Sequence, residues 1–131
     1  MDRRTFLLGS AALTLTPVSA FASFKDYTPG AIQSALAAGQ TVFVDFSATW
    51  CSTCRRQERV INALREQNPA YDQAMTFIKV DWDTYKNHEV TKSRAIPRRS
   101  TLLVLRGDAE LGRIVAGTGE NQIKALLDAG L

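Results

Sequence analysis

The chain holds 131 residues, 45% of them hydrophobic, with 16 Lys+Arg against 13 Asp+Glu and a formal net charge of +3. That length suits one domain with a buried core, and so mild a positive balance, with no basic run interleaved with aromatics, argues against nucleic acid as a partner. Two cysteines are too few for a disulfide scaffold, but they suffice for one redox pair.

Residues 1–22 read as an export signal rather than as part of the fold. Arg3-Arg4 form a basic start, Phe6 to Leu15 an apolar stretch, and Ala20-Phe21-Ala22 a small-x-small cleavage site. The apolar stretch falls short of the roughly 20 residues a membrane span requires, so no stable membrane insertion is expected. Arg3-Arg4-Thr5-Phe6-Leu7 also resembles a twin-arginine signal. The expected mature protein is a single domain over 23–131, delivered to a bacterial periplasm, where a dithiol can cycle through its disulfide.

Pro29 to Ala38 fits a first helix, with Thr28 as N-cap and Gly39 as its stop. Thr41 to Phe46 is a β-branched and aromatic run that reads as a buried strand. A helix follows Cys51 and runs to Gln67, with Val60, Ile61 and Leu64 at helical spacing, until Asn68-Pro69 breaks it. Met75 to Val80 is the next strand, and Lys86 to Arg94 a polar, helical connector in which His88 is a surface residue. Thr101 to Leu105 and Glu110 to Val115 form a hairpin around Arg106-Gly107-Asp108. Glu120 to Ala129 closes the chain as a helix with Ile123, Leu126 and Leu127 on one face. The order predicts an α/β domain whose central mixed sheet carries helices on both faces.

Both cysteines lie in Trp50-Cys51-Ser52-Thr53-Cys54, at the junction of the first strand and its helix. Unpaired N–H groups and the helix dipole favour a thiolate at that place, which makes Cys51 the candidate nucleophile and Cys54 the resolving thiol. A static disulfide or half a zinc site are the competing explanations. Zinc needs two further ligands, and only His88 and carboxylates are on offer. No cofactor or metal is therefore expected. Asp45 stands six residues before Cys51 in an otherwise apolar strand, where burial would raise its pKa and make it a usable acid–base.

The segment Val44-Asp45-Phe46-Ser47-Ala48-Thr49-Trp50-Cys51-x-x-Cys54 resembles the strand-and-active-site signature of the thioredoxin family, and the likeness extends over residues 25–131. Export, the Ser-Thr dipeptide and Lys79-Val80-Asp81 make it most similar to periplasmic members, such as the C-terminal domain of the transmembrane disulfide interchange reductase. The resemblance implies a thioredoxin fold and a monomeric thiol–disulfide oxidoreductase with protein disulfide substrates and an upstream thiol electron donor. It implies that Asp45 assists proton transfer at Cys54, with Lys79 a possible partner of Asp45, and that Trp50 shields the dithiol. The family also places a cis-proline before the strand that faces the dithiol. Ungapped alignment on Thr101-Leu102-Leu103-Val104 puts Ser100 there; Pro97 takes the position only with three inserted residues. On the preferred ungapped alignment Ser52, Thr53, Arg99, Ser100 and Thr101 line the site, with Arg55, Arg56 and Arg98 adding positive charge nearby. A periplasmic Cu(I) metallochaperone, since soft thiolates select Cu(I), and a disulfide oxidase or isomerase are the alternative functions.

Overall fold

The computed structural model describes residues 23–131; the segment read as an export signal lies outside them. Five strands form one mixed sheet in the order β1-β3-β2-β4-β5. They are β1 (Lys25–Asp26), β2 (Thr41–Ser47), β3 (Met75–Asp81), β4 (Thr101–Arg106) and β5 (Ala109–Val115). β1 and β2 run parallel to β3, while β4 runs antiparallel to both β2 and β5. The helices are α1 (Ala31–Ala37), α2 (Ser52–Gln67), α3 (Ala70–Ala74), α4 (Trp82–Tyr85), α5 (Glu89–Lys92) and α6 (Glu120–Asp128).

Strand β2 is buried along its whole length, so both of its faces must be covered. Alternation sends Phe43 toward one layer, where it packs with Ile61 and Leu64 of α2 and with Ile123, Leu126 and Leu127 of α6. Val42, Val44 and Phe46 face the other layer, together with Ile32 of α1, Ile78 and Leu103. Asp45 shares the parity of Phe43 and so lies on the α2 side of the sheet. Because only the short segment 48–51 separates β2 from α2, the first turn of α2 and both cysteines stand over the carboxyl end of the central strand.

Local chemistry moves several boundaries. Helix α1 begins at Ala31, not Pro29, because Gly30 adopts φ 88°, a left-handed conformation that cannot continue a helix. Gly30 rather than Thr28 is its N-cap, and the Thr28 carbonyl accepts the Ala31 N–H at 2.9 Å. Of the expected helical connector over 86–94 only the single turn α5 is helical, and another single turn, α4, precedes it; each has its own cap. Asp81 accepts the Thr84 N–H at 3.0 Å, and His88 Nδ1 accepts the Val90 N–H at 3.2 Å. His88 is consequently a half-buried capping residue set edge-on to Tyr27 and Tyr85, not a plain surface group. Strand β1 and helix α3 have no counterpart in the sequence pattern. A two-residue strand shows no period, and it exists through pairing with Ile78 and Lys79. Helix α3 is held by side chains: Tyr71 donates to Asp128, and Arg65 pairs with Asp72 at 2.6 Å while its guanidinium covers the Phe77 ring at 3.9 Å. Among the described residues no helix is long and apolar enough to cross a membrane.

Candidate active site

Cys51 is the N-cap of α2, a place usually taken by Ser, Thr, Asp or Asn. Its sulfur does the work of a capping oxygen and accepts the Cys54 N–H at 3.1 Å. The helix therefore starts at Ser52, directly after Cys51, as the sequence pattern implies. Cys51 and Cys54 are joined in a disulfide with Cα atoms 5.2 Å apart. Exposure separates the two residues little, at 3% for Cys51 and 1% for Cys54. What separates them is the helix terminus, whose N–H points at Cys51 and favours negative charge there.

Behind the dithiol, Asp45 is completely buried and neither carboxylate oxygen has a hydrogen-bond partner. Burial drives its pKa from 3.8 to about 7; nearby Lys79 opposes the rise and Glu58 adds to it. Lys79 is the register neighbour of Asp45 across the β2–β3 pair. Its ammonium group nevertheless turns away, to Glu58 of α2 at 2.8 Å. The expected Asp45–Lys79 pair is thus corrected: a half-buried acid on the helix competes successfully for the cation, and Asp45 is left to titrate near neutrality.

Opposite the sulfurs stands Ser100, and Pro97 lies on the exposed part of the preceding loop. The Ser100 hydroxyl is 3.2 Å from Cys51 Sγ and 3.0 Å from Cys54 Sγ. Register explains the placement: β4 begins at Thr101 opposite Phe46, so the residue before it meets the start of α2. Ile96 is buried against the α1-side layer, and no peptide bond among the described residues is cis.

The rim is built from side chains that brace one another. Trp50 is 54% exposed, and its indole N–H donates to both Asp83 carboxylate oxygens at 3.2 and 2.9 Å. The Arg99 guanidinium lies over the same ring at 4.5 Å. Trp50 is therefore a held, solvent-facing platform beside the disulfide. Arg55 donates to the Thr49 carbonyl and Arg98 to the Arg99 carbonyl, so these cations first hold loops in shape. Ser52 is exposed and Thr53 half-buried on the first turn of α2, whereas the buried Thr101 hydroxyl is committed to the Arg98 carbonyl at 2.7 Å. Trp82 packs against Ala48, Cys51 and Cys54 and forms part of the floor under the dithiol.

Three participants were not singled out in the sequence. Gln57, buried one turn beyond Cys54, donates to the carbonyls of Ser100 and Gly117 at 3.0 and 2.9 Å and ties α2 to the opposing loop. Its i+3 spacing from Cys54 was the available signal. Glu58 and Asp83 carried none, since charged residues on a helix face ordinarily point to solvent.

A parallel strand pair, an antiparallel hairpin and a Cys-x-x-Cys at the head of the central helix decide the family. The thioredoxin family model matches residues 24–129. The chain belongs to the thioredoxin family. Among its relatives, the putative thioredoxin-4 of Dictyostelium discoideum is 34% identical over 92 residues, covering 70% of this chain and 81% of that protein. The mitochondrial thioredoxin-2 of Schizosaccharomyces pombe is 30% identical over 125 residues, covering 95% of this chain and 83% of that one. Of the solved structures, Trxlp from Edwardsiella tarda EIB202 superposes with a TM-score of 0.66 at 32% identity, over 81% of this chain and 96% of that chain. Oxidised thioredoxin from Plasmodium falciparum gives 0.65 at 27% identity, over 81% and 96%. The dithiol and the family together make this chain a protein thiol–disulfide oxidoreductase.

Proposed function

We propose that this thioredoxin-family protein is an exported reductant, which receives electrons from an upstream thiol donor and passes them to disulfides of periplasmic partner proteins. The observation that carries this reading is a buried carboxyl with a pKa of about 7 on the sheet face beneath a disulfide that caps a helix. In the reduced protein the Cys51 thiolate attacks a partner disulfide, forming a mixed disulfide and releasing one partner sulfur as thiolate. Asp45 takes the proton of Cys54, and the Cys54 thiolate attacks Cys51. The Cys51–Cys54 bond closes, the second partner sulfur leaves, and two electrons have moved to the partner. The thiol donor then restores the dithiol. Asp45 at its raised pKa suits that exchange, being about half ionised near neutral pH.

The exported setting is supported by the Arg3-Arg4 start, the short apolar stretch and the Ala20-Phe21-Ala22 site. With the Lys79-Val80-Asp81 strand end, it favours kinship to the C-terminal domain of the transmembrane disulfide interchange reductase over kinship to cytosolic thioredoxins. The working form is proposed to be the monomer starting at Ser23. The test combines insulin-disulfide reduction with the reduction potential of the Cys51–Cys54 pair. We expect turnover and a potential closer to about −270 mV than to about −120 mV. A potential above about −150 mV would make the protein an oxidase or isomerase. Tight stoichiometric Cu(I) binding without insulin reduction would make it a metallochaperone. Replacing Arg3 and Arg4 by lysine should block export by the twin-arginine route; full-length protein retained in the cytoplasm of wild-type cells would refute the localisation.

A further inference from the structure

Ser100 is fully buried, and its backbone is held from three sides. Its N–H donates to the Phe46 carbonyl at 2.7 Å, while its carbonyl accepts from Ala116 N–H at 2.9 Å and from Gln57 Nε2 at 3.0 Å. It is also held at φ 63°, a left-handed conformation that side chains other than Gly, Asn and Asp seldom adopt. So constrained a backbone leaves the hydroxyl little choice of direction, and it points between the two sulfurs, 3.2 Å from Cys51 and 3.0 Å from Cys54. A proline facing the dithiol, as the family pattern has it, carries no donor at all.

We propose that Ser100 is a catalytic residue of this dithiol, its hydroxyl hydrogen-bonding whichever sulfur bears negative charge. The inference rests on the redox reading of the dithiol and adds a residue to it. A disulfide sulfur is a weak, neutral acceptor, whereas a thiolate receives a charge-assisted hydrogen bond of about twice the strength. The hydroxyl consequently stabilises the reduced protein more than the oxidised one. During reduction by the donor, an incoming thiolate bonds to Cys51, the Cys51–Cys54 bond breaks, and its electron pair departs on Cys54. Ser100 then supports Cys54 as the leaving group. In the dithiol state the same hydroxyl supports the Cys51 thiolate. No proton leaves Ser100 in either step; the departing Cys54 thiolate takes its proton from Asp45, the reverse of the transfer that accompanies reduction of a partner.

Ser100→Ala and Ser100→Gly separate the hydroxyl from the backbone. Both remove the donor, but glycine adopts the left-handed conformation without strain and alanine does not. The readouts are the equilibrium of the full mature chain with reduced and oxidised glutathione, and the pH titration of the Cys51 thiolate by its ultraviolet absorbance. In both variants the equilibrium should shift about tenfold toward the disulfide, which is about 30 mV more reducing, and Cys51 should ionise about one pH unit later. An equilibrium within about twofold of wild type in both variants would overturn the assignment. A shift in the alanine variant alone would trace the effect to backbone strain and also overturn it. Glutathione equilibration does not require a protein substrate. Failure of the wild type to reduce insulin would therefore count against the proposed function while leaving the Ser100 result readable.

Discussion

Replacing Asp45 by Asn should stabilise the protein, and by an amount that depends on pH. The carboxyl is wholly buried, has no hydrogen-bond partner, and titrates near 7 instead of 3.8 because burial penalises its charged form. In the unfolded chain the same acid ionises near 3.8. Between about pH 4 and pH 7 the unfolded state has therefore released a proton that the folded state keeps, so stability falls as pH rises. Some three pKa units at 1.36 kcal/mol each amount to about 4 kcal/mol, fully lost above pH 7. The Asn amide costs about as much to bury as the protonated acid, and it never ionises. The two proteins should be equally stable near pH 4, and the Asn variant should lead by up to about 4 kcal/mol near pH 8. Urea unfolding of the oxidised proteins across that range measures the difference, provided the m-values agree. Parallel stability–pH curves for wild type and variant would refute the reasoning, since they would mean that Asp45 is charged in the fold at no cost. The same variant should reduce insulin more slowly, having lost the acceptor for the Cys54 proton.

The two thiols should differ in rate. Cys51 should be alkylated much faster than Cys54 near neutral pH, and Cys54→Ser should accumulate mixed disulfides with partners while Cys51→Ser traps almost none; equal alkylation rates would contradict the roles given to them. Gln57→Leu keeps the volume of a buried side chain but removes the donor to the Ser100 and Gly117 carbonyls. A loss of about 1–3 kcal/mol in urea unfolding is expected, and unchanged stability would show that the tie between α2 and the Ser100 loop carries no energy.

The thioredoxin fold was legible because its signals are local. A continuous apolar run marks β2, an unbroken helical period marks α2, and Gly107-Asp108 between two apolar runs marks the β4–β5 turn. The redox chemistry was legible for the same reason, since Cys51 and Cys54 need only one helical turn between them, and an acid in an apolar strand already announces a perturbed carboxyl. The partners of those groups depended on residues far apart in the chain. Lys79 is adjacent to Asp45 in register, yet its long side chain reaches Glu58 on α2, a choice made by the distance between sheet and helix. Trp50 gains Asp83 from α4 and Arg99 from the loop before β4. Cys51 meets Ser100 across 49 residues of sequence. The sequence by itself determined which atoms would react, because spacing along one helix and one strand suffices for that. Only the tertiary structure decided which groups would stand against those atoms, because a buried carboxyl, a capped sulfur and a hydroxyl acquire their energies from neighbours that the chain brings together only by folding.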